Sequence, residues 1–142
     1  MAVYFDSGND VAGDGSIENP YQSISSLVYV EGETYKFKRG GTYGAPGQVT
    51  ENDVTFDAYF NDDGTDDASQ AKPIFTDTSS NIINTATGVT GHLIKKIRYV
   101  AQSGMTAMVN SNDGAITGMY CEFDGAGFSA RWQICESQGG SW

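Results

Sequence analysis

From Val54 onward the chain starts new apolar runs at a nearly fixed interval: VTFDAYF at Val54, IFTD at Ile74, IKKIRYV at Ile94, ITGMYCEF at Ile116 and a final GGSW ending at Trp142, in steps of 20, 20, 22 and 26 residues. The runs are too short for helices and rich in β-branched and aromatic residues, which suit a pleated, half-buried strand. Between them lie shorter apolar pieces, Ile82-Ile83, Ala107-Met108-Val109 and Trp132-Gln133-Ile134, separated by Gly, Asn and Asp turns. A strand start at such a period is what a stack of parallel coils demands, because each coil buries its apolar face only against its neighbours. The runs at Ile94 and Ile116 share a finer pattern: Ile94, Ile97 and Tyr99 align with Ile116, Met119 and Cys121, with the apolar spacing stretched by one residue in each, as a repeated bulge would do. The alternative, a β-sandwich of short antiparallel strands, calls for turns every 8 to 12 residues or so and does not call for this repeat.

Composition agrees with an all-β chain. Leu27 and Leu93 are the only leucines against 18 glycines, and 142 residues suit one domain. The net charge of −10 argues against nucleic acid, whose phosphates need clustered Lys and Arg, and against an anionic membrane surface. Cys121 and Cys135 lack zinc spacing and are too few for a disulfide framework; they read as small buried residues or as one bridge. Met1-Ala2-Val3 leads straight into a strand, with no signal-peptide pattern, and no apolar run approaches the length of a membrane span.

The first fifty residues read as a cap. YFDSGNDVAGDGSIENPYQSI (4–24) is a strand followed by an Asp/Asn/Gly loop; Tyr21, Ile24, Leu27 and Val28 recur at helical spacing behind Asn19-Pro20, predicting a short helix over 21–30. EGETYKFKRGGTY (31–43) alternates Tyr35 and Phe37 with Lys36 and Lys38, a half-buried strand between glycine turns. The order of these pieces, with DVTFDAYF after them, resembles the entry to right-handed parallel β-helix proteins of the pectin-lyase-like superfamily. The likeness covers residues 3 to 60. It implies a single-stranded β-helix of few rungs, with an N-terminal cap at 1–50 and about four rungs at 51–142. It does not imply one activity, because that superfamily spans lyases, hydrolases, epimerases, phage tailspikes and non-catalytic adhesins.

Four groups of residues are candidates for chemistry. Asp62, Asp63, Asp66 and Asp67 around Gly64, and Asp6, Asp10 and Asp14 in the first loop, offer oxygens for Ca²⁺, the one cofactor the sequence suggests, although neither loop has EF-hand spacing and both fit ordinary turn chemistry. Asp57 and Asp77 each lie three residues into a run, so the inferred register stacks them one strand spacing apart, as a shared-proton or retaining-glycosidase pair or as a solvated pair relieved by cations. Lys96 and Arg98, in HLIKKIR beside the only histidine, His92, fit charges that pair with acids above and below. The resemblance implies the alternative of an Arg or Lys base of the lyase type. Tyr59, Trp132 and Trp142 sit beside turns and can stack on sugar rings, whereas Phe56, Tyr99 and Phe123 read as core.

With no GxSxG, Ser-His-Asp order or phosphate loop, the expectation is a non-catalytic virion or extracellular-surface protein: a phage tail-fibre, tailspike or capsid-decoration subunit binding cell-surface polysaccharide. The alternatives are the N-terminal part of a polysaccharide lyase or glycoside hydrolase, and a calcium-dependent carbohydrate-binding module. Ending at QGGSW, the sequence shows no C-terminal cap, which predicts either a longer β-helix or a covering subunit in a homo-oligomer or larger assembly.

Overall fold

A computed structural model describes residues 1–10, 12–25, 27–78, 81–103, 107–110 and 116–124. Its strands are β1 (Ala2–Phe5), β2 (Thr34–Lys38), β3 (Thr42–Tyr43), β4 (Gly47–Val49), β5 (Thr55–Tyr59), β6 (Ile74–Phe75), β7 (Asn81–Thr85), β8 (His92–Lys95), β9 (Arg98–Val100), β10 (Ala107–Asn110), β11 (Ile116–Met119) and β12 (Glu122–Asp124). They form three sheets, ordered β1-β2-β5-β8-β11, β3-β6-β9-β12 and β4-β7-β10. From β2 on, the chain visits the first, second and third sheets in turn and then starts again. Every strand pairing among the described residues is parallel. That arrangement is compatible with a β-helix and is not what an antiparallel sandwich produces.

Alternation builds the interior. In β2, Tyr35 and Phe37 point inward while Thr34, Lys36 and Lys38 stay half-exposed, and β5 and β8 place Phe56 and Ile94 in the same row. The second sheet contributes an inward ladder of Tyr43, Phe75, Tyr99 and Phe123, one per strand. Aromatic contacts knit the sheets: Phe37 meets Phe75 edge-on at 4.7 Å between centroids, and Tyr99 stacks on Phe123 at 5.1 Å and 11°. Of the expected core residues, Phe56 and Tyr99 are fully buried and Phe123 packs against the cluster.

Three expectations need correction. No helix forms among the described residues, 21–25 and 27–30 included. Instead the Tyr21 amide donates to the Tyr4 carbonyl, and the Tyr21 carbonyl accepts from the Asp6 amide, so residue 21 pairs in parallel with β1. The serine-rich segment that follows has little helix propensity to oppose this, and Ser23 Oγ accepts from the Ser25 amide in place of a helical bond. Ile24 and Tyr29 still reach the core, so the end is covered by irregular chain. A Cβ at Gly13 would run into the Pro20 carbonyl, which is how closely that chain folds on itself.

The second correction concerns the repeat. Ile74 does not stack on Val54, because β6 belongs to the second sheet; the register pairs Thr55 with Leu93, which sets His92 over Val54. The extra length is the 60–73 loop between β5 and β6. Third, Ile94 lies opposite Gly118 and not Ile116, while Ile116 lies over His92. The step from Leu93 to Thr117 and from Arg98 to Glu122 is 24 residues in both sheets. The earlier alignment is off by two, a shift that leaves every side chain on its own face and so escapes the apolar pattern. β2, β3 and β4 already occupy all three sheets within residues 34–49.

Candidate functional site

The corner between the first and second sheets is built from a recurring backbone feature. Residues two before β3, β9 and β12 are Gly40, Lys96 and Tyr120, and all three are left-handed, with φ of 78°, 58° and 56°. Such a conformation costs glycine little and a side-chain-bearing residue of order 1 kcal/mol or more. On the pass between, the 60–73 loop enters the corner instead.

That loop is fastened to the outer face of the first sheet by cations from three places. Lys36 Nζ donates to the Gly64 carbonyl at 2.7 Å. Arg39, only 7% exposed, grips Asp66 with Nε at 2.5 Å and Nη2 at 2.9 Å, and donates from Nη1 to the Gln70 carbonyl. Lys96 Nζ lies 3.0 Å from Asp66 and 3.5 Å from Asp57, which Lys95 also approaches at 3.6 Å. The Arg39 hydrogen bond, helped by Lys96, holds the Asp66 carboxyl down to about 2. Lys96 loses hydration by burial, but the Asp66 hydrogen bond and the charges of Asp57 and Asp66 outweigh that loss and raise its pKa.

Beneath the loop and beside the corner runs a groove of about 520 Å³, lined by Arg39, Lys72, Lys96 and Arg98 with the ring of Tyr120 and the carboxylate of Glu122. Each cation has an acid: Lys72 pairs with Glu122, and Arg98 Nη2 meets Asp124 at 2.7 Å. Tyr120 is 75% exposed.

The sequence-derived candidates distribute unevenly. Asp57, Lys96 and Asp66 come together, and Arg98 lines the same groove. Asp77 does not join Asp57: it follows β6 in the second sheet, where its Oδ2 accepts from the Ala45 amide at 3.0 Å and Oδ1 from the Thr78 amide. The stacked carboxylate pair is therefore not formed. Asp63 and Asp67 accept hydrogen bonds from Thr65 and Ser69 of their own loop, which hold their carboxyls low; Asp62 and Asp63 are exposed. In the first loop Asp6 pairs with Lys38 at 2.8 Å, and Asp14 caps the Ser16 amide. No group of three or more His, Cys, Asp or Glu side chains able to hold a metal occurs among the described residues.

Tyr59 is 2% exposed, its ring edge-on to Tyr4 at 5.2 Å and its hydroxyl pKa pushed up by burial, so it offers no face to a sugar. Trp132, Trp142 and Cys135 lie outside the described residues; Cys121 Sγ donates to the Ile94 carbonyl at 3.5 Å. Sequence reasoning missed Arg39, Lys72 and Tyr120. The available signal was the alignment of KFKRGG with IKKIR and MYCEF, which sets Gly40, Lys96 and Tyr120 at one corner.

Chemically the site is a set of paired donors and acceptors beside an aromatic face. The carboxyls of Asp14, Asp63, Asp66 and Asp67 are held below their ordinary range, away from what a general acid needs. Lys96 shifts upward, away from what a base needs. No family model, curated protein or solved structure matches the chain.

Proposed function

We propose that the chain folds as a right-handed parallel β-helix and serves as a non-catalytic structural protein of a virion or other exposed surface, a tail-fibre, tailspike or capsid-decoration subunit contacting cell-surface polysaccharide. The observation that carries this reading is the cyclic succession of three parallel sheets around one aromatic core. Such a stack makes a stiff shaft whose outer face presents side chains at regular intervals.

The non-catalytic part draws on the charged cluster. A retaining or inverting glycosidase needs one carboxyl held protonated beside one ionised, and a lyase needs a base that can give up its proton. Asp66 and Lys96 are biased the opposite way: Arg39 and Lys96 hold Asp66 ionised, and Asp66 and Asp57 hold Lys96 charged. Incubation with neutral and uronic-acid polysaccharides is expected to release neither reducing nor unsaturated ends. Turnover that disappears in Lys96→Ala or Arg98→Ala would overturn the reading in favour of a lyase or hydrolase.

A further inference from the structure

We infer that the corner groove binds an uncharged, hydroxyl-rich glycan, with Tyr120 as the stacking platform and the Lys96, Arg98 and Glu122 side chains as its polar partners. This rests on the non-catalytic reading above and adds the class of ligand.

Two observations single out Tyr120. A bulky residue in the left-handed region is an outlier that persists only where something holds it there. Its ring is three-quarters exposed, so packing within the described chain does little to offset that backbone. The same conformation recurs one strand away at Lys96, so two side chains are carried out from the corner on adjacent passes, both into the groove.

The charge pattern sets the ligand class. Lys72 and Arg98 pair with Glu122 and Asp124, and Arg39 and Lys96 share Asp66, with Asp57 also beside Lys96, so every cation lining the groove has an acid against it and the groove presents both donors and acceptors. The chain as a whole carries −10, which further repels acidic chains. Paired Lys/Arg and Asp/Glu side chains can both donate to and accept from hydroxyl groups, and an exposed tyrosine offers a flat face to the CH side of a sugar ring. A neutral glycan uses both donors and acceptors; an anion can use only the donors.

The test is titration calorimetry of the full chain with maltohexaose, cellohexaose and mannohexaose against a hexameric galacturonate, in the wild type, Tyr120→Phe and Tyr120→Gly. At least one neutral hexaose is expected to bind. Tyr120→Phe should keep that affinity, and Tyr120→Gly should weaken it by about tenfold or more, as loss of an aromatic anchor does. Glycine also relieves the left-handed backbone, so Tyr120→Gly should melt no lower than wild type within a degree or so, which separates lost binding from lost folding. Preference for the galacturonate, no neutral binding, or binding indifferent to Tyr120→Gly would overturn the inference. Cleavage of a bound hexaose would overturn the non-catalytic reading and leave this one standing.

Discussion

The interior passes through two differently finished regions. Around the first pass every buried tyrosine hydroxyl has a partner: Tyr29 donates to the Pro46 carbonyl at 2.8 Å, Tyr35 accepts from the Val30 amide and donates to the Val28 carbonyl, and Tyr43 donates to the Phe5 carbonyl at 3.1 Å. On the third pass His92 is 2% exposed with neither ring nitrogen hydrogen-bonded, and the Tyr99 hydroxyl is buried and equally unmatched. Tyr43 and Tyr99 share one inward row, and His92 stands in another between the aliphatic Val54 and Ile116. A stacked core tolerates a polar residue in an apolar row only at the cost of desolvating it, so the early pass is cross-linked by its polar groups and the later one is weakened by them.

The harshest way to break the contrast is to remove what both regions share. Phe75 touches Phe37, Tyr43, Phe56 and Tyr99, so Phe75→Ala should cost about 3–5 kcal/mol in urea unfolding, and a loss below about 1 kcal/mol would contradict a common core.

Asp66→Asn comes next, because it leaves the Arg39 guanidinium nearly enclosed beside an uncharged partner; a loss of about 1–3 kcal/mol is expected. Asp66 has a folded pKa of about 2 against 3.8 unfolded, so its contribution is complete above 3.8 and disappears as pH falls toward 2. Acid titration of stability should therefore be shallower in Asp66→Asn over that window.

His92→Val should do the reverse and stabilise the chain by about 1–3 kcal/mol, removing two orphaned nitrogens without changing the row. Burial depresses the folded pKa of His92 below 6.5, partly opposed by the Asp53 charge, so the unfolded chain binds the proton first. Wild-type stability should then fall as pH drops below 6.5, and His92→Val should flatten that slope.

The smallest effect is also the sharpest comparison. Tyr99→Phe should be neutral or stabilising, whereas Tyr43→Phe should lose about 0.5–1.5 kcal/mol with its hydrogen bonds; equal losses would erase the distinction between the two passes.

The sequence carried the strand faces well, because a period of two is visible in TYKFK or HLIK without any neighbour. Which strand lies over which was less legible. Ile74 matched Val54 in apolar character, and nothing in VTFDAYF announces that the loop after it consumes most of a turn of the stack. The helix over 21–30 failed because spacing alone cannot register that an edge strand with unpaired groups competes for the same backbone. At the site, charge was legible and geometry was not: Asp57, Asp66, Lys96 and Arg98 were singled out by type, while Arg39 was hidden behind a strand end and Tyr120 behind a backbone angle.

The fastening of the 60–73 loop has a consequence for force. Arg39 follows β2 and Lys96 follows β8, strands that do not touch because β5 lies between them, yet both hold Asp66. Tension applied along the stack would otherwise open one parallel ladder at a time. Here a single carboxylate spans two interfaces, so parting β2 from β5, or β5 from β8, also means breaking a charged contact to Asp66, and the loop acts as a tie across ladders that would otherwise yield on their backbone bonds alone.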